Sequence, residues 1–540
     1  MSNKRIYPKK KNEDALNFRT DSISEIMETS GLNRILNEVE EINFAKVYYS
    51  DNPDMIKEIE NLERCLRSEG LEKHYKEIRA KLKSMEPDDE SKVIIVVLSL
   101  LRTLEEQNLR LAYFEDGIYR IYTPELKYWK KLSDHIISHF LCEVAERSGF
   151  KRSDALKKRI REMLVDHFKE HAYSPIPKKS IDSVSINLQN GTYVISNEFT
   201  GLREHRPTDY HFNILPFSYV EGATCPMFMK FIETSLPEKE AINALAEISA
   251  YPLYPQLKLE IAGVLQGPGR TGKSTFQAIL ISLYGKENVG SFTLTSLCSP
   301  AASSNYNRAL LTDYLLNYSS EMGGQGCDPN MVKKVISREQ VEARFPYGKP
   351  FMISEYCPIM FNVNDLPLLE NTSALWRRLK FFPFYVVVPP EQVDIEFANK
   401  IILTELPGVF NWLLEGLKRL MTNKRITESK LCQSIKDALR RDNDPVASFI
   451  AEYGYKSSSD QYEHSVSLFK EFQQFCEECN LKSRQMSRTT FLRRLEENGI
   501  KVDRKAPNHQ YRVYCEKIES KTKNNDNDIT KMFGLSDSDE

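Results

Sequence analysis

The 540-residue sequence lacks a long apolar segment, a cysteine framework and an excess of either charge. Its longest apolar run, from Val93 to Leu101, is far shorter than the roughly 20 residues of a membrane-spanning helix, which excludes a membrane protein. The ten cysteines follow no repeating spacing, and no apolar leader follows Lys4 and Arg5. We therefore expect a soluble cytoplasmic protein with reduced thiols, because disulfide frameworks belong to secreted chains.

The overall charge gives no information about nucleic acid, because 74 basic and 76 acidic residues leave a net charge of −2. Any DNA-binding surface must therefore be local. Cys476 and Cys479 have the spacing of half a zinc site, but no second pair of ligands lies nearby. The helical spacing of Phe469, Phe472 and Phe475 favours a packed helix that carries both cysteines.

The length of the chain predicts three or four structural units. Asp116-Gly117 and Asn190-Gly191 each separate two strand-like stretches, so each predicts a β-hairpin. The predicted segments are a basic flexible tail (1–20), a helical region without a recognisable motif (21–110), a mixed region with the two hairpins (111–226), an ATPase core (227–424), a C-terminal unit (440–516) and a disordered acidic tail (517–540).

A complete phosphate-binding pattern, G-x-x-x-x-G-K-[ST], spans residues 267–274. A strand-like apolar stretch precedes it and an amphipathic helical pattern follows it, as the motif requires. Glycines let consecutive amides turn toward a triphosphate, Lys273 would reach the β and γ phosphates, and Ser274 would bind Mg²⁺. The alternative is a glycine-rich structural turn. The predicted nucleotide-binding residues are Gly267, Pro268, Gly269, Arg270, Thr271, Gly272, Lys273, Ser274 and Thr275.

Two further predicted strands end in side chains suited to ATP hydrolysis. The first ends in Glu321, where a carboxylate can polarise the attacking water. Ser320 precedes it in place of a second acidic residue, so Glu321 and Ser274 are the candidate magnesium ligands. The other strand ends in Asn364, whose amide can hydrogen-bond phosphate and water without adding charge.

An arginine pair follows the second of these strands, at Arg377 and Arg378. A guanidinium is always charged and suits the dispersed negative charge of a phosphoryl-transfer transition state, so either residue is a candidate arginine finger. The alternative is that the pair forms internal salt bridges unrelated to phosphate.

The order of these motifs resembles the superfamily 3 helicases, specifically the branch of phage and plasmid primase-helicases and poxvirus D5-type proteins. Residues 328–351 are similar to an intermediate motif in which basic residues flank a hairpin that lines a central DNA channel. The chain departs from that motif at Arg338-Glu339, where the family usually has glycine and an acidic residue. The basic residues to which the resemblance assigns DNA contacts are Lys333, Lys334, Arg344 and Lys349.

The resemblance implies an α/β P-loop (AAA+-like) ATPase core behind a helical or α+β N-terminal region. It implies a homo-oligomeric ring, expected to be a hexamer, that uses ATP and Mg²⁺ to translocate on single-stranded DNA and open forked DNA. Each ATP would lie between subunits, with Lys273, Ser274, Glu321 and Asn364 on one side and Arg378, or alternatively Arg377, supplied by the next subunit. The family further implies replication of a phage, plasmid or other mobile element. No primase motif is visible in residues 1–225, so a separate primase or polymerase is a possible partner.

The C-terminal unit has the outline of a winged-helix DNA-binding domain. Ser487 is suited to cap a helix that ends before Gly499, and two strand-like stretches follow. The alternative is an ordinary α+β unit with a cationic surface. The basic residues predicted on the helix are Arg488, Arg493 and Arg494.

Other functions fit part of these patterns. An AAA+ ATPase could remodel protein or package nucleic acid without unwinding, and a non-enzymatic origin-binding protein could use the loop only to control assembly. A signalling GTPase is disfavoured, because Asn423-Lys424 lacks the aspartate of a guanine-binding motif.

Overall fold

The computed structural model divides the chain into two compact units, residues 1–214 and 215–540. The residues that it describes are 23, 25–67, 74–324, 326–346, 348–367, 372–478, 486–504 and 511–517. The two predicted terminal tails therefore lie almost entirely outside the described residues. Among the described residues, no helix combines the length and the apolar character that crossing a bilayer requires.

The first unit begins with helices, as predicted, and continues with helices and strands. Its helices are α1 (Leu32–Asn37), α2 (Phe44–Tyr48), α3 (Pro53–Arg67), α4 (Tyr75–Ser84), α5 (Asp89–Glu106), α6 (Asp134–Arg147), α7 (Arg152–Ala155) and α8 (Lys158–His171). Its strands are β1 (Arg110–Phe114), β2 (Tyr119–Tyr122), β3 (Trp129–Leu132), β4 (Tyr173–Ser174), β5 (Val184–Leu188), β6 (Gly191–Ile195) and β7 (Thr200–Arg203).

Both predicted hairpins are confirmed. Strands β1 and β2 pair antiparallel around Asp116-Gly117, and Gly117 has the positive φ of 79° that favours glycine. Strands β5 and β6 pair antiparallel around Asn190-Gly191. The first hairpin belongs to a sheet of order β3-β2-β1-β4, and the second belongs to the sheet β5-β6-β7. Helices α5, α6 and α8 supply apolar side chains to one core with the first sheet.

The second unit contains a five-stranded parallel sheet and the helices that cover it. Its strands are β8 (Ala262–Gln266), β9 (Val289–Gly290), β10 (Leu316–Ser319), β11 (Val341–Ala343), β12 (Phe351–Ile353), β13 (Ile359–Val363) and β14 (Leu379–Pro383). Its helices before residue 443 are α9 (Pro226–Ser235), α10 (Lys239–Ala250), α11 (Lys273–Tyr284), α12 (Leu294–Cys298), α13 (Ala302–Leu310), α14 (Pro329–Ile336), α15 (Ser373–Trp376), α16 (Phe397–Thr404), α17 (Leu406–Asn423) and α18 (Lys430–Asp442).

The strand order of the parallel sheet is β14-β8-β13-β10-β9. Every residue of β8, β10 and β13 is buried. Strands that are covered on both faces carry continuous apolar sequence, which is why the sequence predicted these strands without an alternating pattern. The predicted α/β core is therefore present, and its sheet is parallel.

The C-terminal part of the second unit is a small helical and antiparallel arrangement. It contains α19 (Pro445–Glu452), β15 (Tyr455–Ser457), β16 (Glu463–His464), α20 (Ser465–Glu478), α21 (Arg488–Glu497), β17 (Lys501–Asp503) and β18 (Arg512–Lys517). Strand β18 pairs antiparallel with each of the other three strands.

Buried aromatic rings form the core of this C-terminal part. Phe449, Phe472, Phe475 and Phe491 belong to one cluster, together with Cys476. Cys476 therefore lies on a packed helix, as the phenylalanine spacing predicted, and Cys479 lies outside the described residues. The predicted order of helix and two antiparallel strands is present, whereas the winged-helix assignment stays a prediction.

Candidate functional site

The predicted phosphate loop connects the end of β8 at Gln266 to the start of α11 at Lys273. Two of its glycines are required by close packing. An added Cβ on Gly267 would lie 1.8 Å from the carbonyl oxygen of Phe384, and one on Gly272 would lie 2.5 Å from Cε2 of Phe231. The loop therefore packs against the backbone that follows β14 on one side and against the ring of Phe231 on the other.

The loop backbone takes left-handed conformations at Arg270, with φ of 63°, and at Gly272, with φ of 85°. Left-handed residues among right-handed ones turn successive amides toward one side of the chain, which creates a concave anion site. The loop shape is fixed by Thr271 Oγ1, which donates to the Pro268 carbonyl at 3.0 Å, and by the Val388 amide, which donates to the Arg270 carbonyl at 3.0 Å.

The ammonium group of Lys273 lies against this loop. Its Nζ donates to the carbonyl oxygens of Gly267 and Pro268 at 2.6 and 2.7 Å and approaches Thr271 Oγ1 at 3.3 Å. Burial removes water from the ammonium group and thereby lowers the pKa of Lys273. The cation is thus held beside the amides that would surround a phosphate, while Ser274, the next residue, is exposed.

The parallel sheet brings the predicted strand-end residues to the same edge as this loop. Val363 is in register with Gln266, so Asn364 follows β13 beside the start of the loop, where its carbonyl accepts from Gln266 Nε2 at 3.3 Å. Strand β10 is the other neighbour of β13, and exposed Glu321 follows it by two residues. The carboxyl edge of a parallel sheet is where ligands of α/β proteins bind.

A closed ring of three buried hydrogen bonds connects α11 with β10 and β13. Gln277 Nε2 donates to the Tyr318 carbonyl at 3.1 Å, Tyr318 Oη donates to Asn362 Oδ1 at 2.9 Å, and Asn362 Nδ2 donates to Gln277 Oε1 at 2.9 Å. Burial raises the pKa of Tyr318 and so keeps its donor proton. The ring fixes the helix that starts at the loop against the strands that lead to Glu321 and Asn364.

This ring was not predicted, because no sequence pattern links a glutamine, a tyrosine and an asparagine that are far apart in the chain. The one signal in the sequence was an amide side chain, Gln277 or Asn362, within an otherwise apolar helix or strand. A polar side chain in a buried strand or helix needs a buried partner.

The structure distinguishes the two arginines of the predicted finger. Arg378 is buried, and its guanidinium donates to Ser337 Oγ at 2.5 Å and to the Ala374 carbonyl at 2.8 Å, with Glu260 at 3.4 Å. It precedes β14 at the amino edge of the sheet, because Leu379 is in register with Ala262. The hydrogen bonds of Arg378 are thus made inside its own subunit. Arg377 is exposed.

The predicted basic hairpin is present as β11 and β12, which pair antiparallel. Lys349 in the connecting segment is exposed, whereas Arg344 is half-buried and its Nε donates to the Gly348 carbonyl at 2.9 Å. On α14, Lys334 is exposed and Lys333 is half-buried. The structure thus places exposed basic side chains both on this hairpin and on the helix before it.

Arg338, at the departure from the family pattern, has a positive φ of 55°. That conformation favours glycine, which is the residue that the family usually has there. The arginine side chain is buried and donates to Tyr251 Oη at 3.2 Å and to the Leu257 and Pro255 carbonyls at 3.3 and 3.1 Å. These bonds offset the backbone strain and take Arg338 out of any role on the surface.

The three predicted basic residues of α21 also differ in exposure. Arg493 is exposed and Arg488 is half-buried. Arg494 is buried, with Nη1 at 3.4 Å from Glu497 and 3.9 Å from Asp444. Arg494 therefore faces the core beside Phe491, Leu492 and Leu495, and it is removed from the predicted DNA contacts.

Comparison with protein families confirms the resemblance found in the sequence. Residues 102–237 match the family described as D5 N terminal like. This segment of the chain is therefore similar to the D5-like proteins, as the resemblance in the sequence indicated. Residues 265–378 match a second family, described as a family of unknown function, DUF5906. That second match contains the phosphate loop, Glu321, Asn364 and both arginines of the predicted finger.

Solved structures of the NrS-1 C-terminal region are also similar to this chain. The A form of the apo structure has 14% sequence identity and a TM-score of 0.41, and the similarity covers 77% of this chain and 98% of that one. Another apo structure of the same region has 15% identity and a TM-score of 0.38, with coverage of 79% and 99%.

A first prediction concerns the loop conformation. We expect Gly272→Ala to weaken binding of Mg·ATP by roughly tenfold or more, or about 1.4 kcal/mol, because its Cβ would meet Phe231 and the left-handed backbone disfavours alanine. Gly269→Ala is the matched control, since its Cβ would meet no atom within 4 Å and alanine keeps the backbone amide. Isothermal titration calorimetry measures both. Equal affinities for the two variants would contradict this account of the loop.

A second prediction concerns the buried ring. Tyr318→Phe leaves Asn362 Oδ1 without its donor, so we expect kcat for ATP hydrolysis to fall several-fold while KM stays unchanged. Tyr284→Phe is the control, because Tyr284 is fully buried and its Oη donates to the Ser249 carbonyl at 2.6 Å. Each variant should lose about 1–3 kcal/mol of unfolding free energy. If kcat falls equally in both variants, the ring has no positioning role.

Proposed function

We propose that this chain is an ATP-dependent replicative DNA helicase of superfamily 3, which assembles as a ring and translocates on single-stranded DNA. The observation that carries the proposal is the placement of Lys273, Asn364 and Glu321 at one edge of the parallel sheet. This edge offers a cation for phosphate, an amide for phosphate or water, and a carboxylate for water. The match of residues 102–237 to the D5 N terminal like family supports a role in the replication of a phage, plasmid or other mobile element.

The described residues suit Mg·ATP as the nucleotide. The packed glycines and the left-handed Arg270 shape a concave loop, and the Lys273 ammonium lies over it. The Ser274 hydroxyl and the Glu321 carboxylate are oxygen donors, which Mg²⁺ prefers. The bound metal would neutralise charge on the phosphates, while Glu321 orients the attacking water and Asn364 holds its position.

Arg377 is the residue that we assign to the neighbouring subunit's ATP. It is exposed, whereas Arg378 has its hydrogen bonds inside the subunit. A finger that acts in trans requires a closed assembly, and a hexameric ring of identical subunits supplies one such site per interface. The buried Arg378 would hold the segment that presents Arg377.

The DNA surface of the proposal consists of basic side chains on three elements. Lys334 on α14, Lys349 in the β11–β12 hairpin and Arg493 on α21 are exposed, and Arg488 at the start of α21 is half-buried. Single-stranded DNA would follow the hairpin, and duplex DNA at a fork would contact α21. Lysine and arginine contacts of this kind bind phosphates and give affinity without sequence selection.

The decisive experiment is strand displacement on a forked duplex with ATP. We expect the wild-type chain to separate the strands and Lys273→Ala to abolish separation, because the phosphates lose their ammonium partner. Lys286→Ala is the matched control, since Lys286 is exposed beyond the far end of α11. DNA-stimulated ATP hydrolysis without strand separation would indicate a remodelling or packaging ATPase. DNA binding without ATP hydrolysis would indicate an origin-binding protein.

A further prediction tests the shared site. Arg377→Ala should lower kcat for ATP hydrolysis by roughly 10³–10⁵ while nucleotide binding persists. Mixing Arg377→Ala with Lys273→Ala subunits should restore part of the turnover, because some interfaces then combine an intact loop with an intact finger. Arg378→Ala should instead lower the melting temperature. Absence of any rescue in the mixture would contradict a finger that acts between subunits.

A further inference from the structure

The last turn of α8 in the first unit brings together three side chains that can bind metal. The ligand atoms of His167, Glu170 and His171 all lie within 4.8 Å of one another, and no other such group occurs among the described residues. Spacings of three and four residues place these side chains on one face of the helix. Neither the phosphate loop nor the proposed DNA surface uses them.

The orientation of the His171 ring leaves one ring nitrogen available to bind a metal ion. Its Nδ1 lies 2.8 Å from the carbonyl oxygen of His167. A carbonyl oxygen only accepts, so Nδ1 carries the proton and the neutral ring keeps its lone pair on Nε2. Histidines that bind metals are commonly oriented in this way, through a hydrogen bond from the other ring nitrogen.

His167 has an unsatisfied ring nitrogen. Its Nδ1 is buried, and it has no hydrogen-bond partner among the described residues. A buried polar atom without a partner indicates a missing interaction, such as one with an ion. The two rings, with centroids 6.1 Å apart and planes at 46°, are separate enough to admit an ion between their nitrogens.

The local charge and spacing also suit a cation. The carboxyl end of a helix carries the negative end of its dipole, and Glu170 adds a full negative charge. Zinc bonds of about 2.0–2.2 Å place tetrahedral ligand atoms roughly 3.4 Å apart. The ligand atoms of the three side chains, all within 4.8 Å of one another, are already close to that spacing.

We propose that His167, Glu170 and His171 form a binding site for a divalent transition-metal ion of the zinc class. Two imidazoles and one carboxylate favour zinc, cobalt or nickel over magnesium and calcium, which prefer oxygen ligands throughout. Three protein ligands leave one coordination position open. The site is independent of the proposed helicase activity.

The full-length protein titrated with Co²⁺ tests the site, because the absorption of bound cobalt reports both affinity and ligand type. We expect one high-affinity site without a thiolate charge-transfer band, displaced by Zn²⁺. His171 is exposed, so His171→Ala should weaken cobalt binding by roughly tenfold or more without disturbing the core. Glu170→Gln should weaken cobalt binding to a smaller extent. Circular dichroism establishes that each variant is folded.

The matched control is the double variant His135→Ala and His139→Ala on α6. These histidines have the same four-residue spacing, but Nε2 of His139 is already 3.1 Å from Glu143. Their removal should leave cobalt affinity unchanged. Cobalt binding that survives His171→Ala, or a spectrum dominated by thiolate, would overturn the proposal.

Discussion

The parallel pairing of β8 with β13 is the constraint on which the candidate site depends. Gln266 at the end of one strand is in register with Val363 at the end of the other. The phosphate loop and Asn364 therefore leave the sheet side by side. Because β10 lies next to β13, Glu321 reaches the same edge. A single sheet topology thus converts three distant sequence positions into one cluster.

The pairing of β8 with β13 positions the backbone segments of the site. The buried hydrogen-bonded ring of Gln277, Tyr318 and Asn362 also fixes the distance between α11 and the parallel sheet. Each polar group in the ring has a partner, so the free-energy cost of burying it is offset. A mobile helix would let the predicted phosphate loop move away from the strand ends that lead to Glu321 and Asn364. Side-chain hydrogen bonds in an apolar interior restrict that movement more selectively than apolar contacts do.

Local patterns predicted much of the second unit, because a phosphate loop, buried strands and hairpin turns have short-range causes. The strand before Gly267, the helix from Lys273 and the strand that ends before Asn364 followed from spacing and turn chemistry. The mixed segment before them was predicted through its two Asx-Gly hairpins. The D5-like resemblance was confirmed by comparison over residues 102–237.

Which arginines are buried could not be predicted, because burial depends on tertiary packing. Arg377 and Arg378 are adjacent in sequence, yet one is exposed and the other donates hydrogen bonds inside the subunit. Arg494 lies on the buried face of its helix. Arg338 is also buried, and it has a backbone conformation that favours glycine. In each case the sequence shows a basic residue, and only the packing decides whether its charge is available at the surface.

We propose that the backbone amides of Gly267 and of residues 269–275 hold the phosphates of ATP; Pro268 has no amide hydrogen. Hydrogen–deuterium exchange of the full-length chain, with and without Mg·ATP, measures those amides directly. We expect slower exchange across this loop and the first turn of α11, with the far end of that helix unchanged. Unaltered exchange in the loop at saturating nucleotide, or protection confined to another segment, would contradict it.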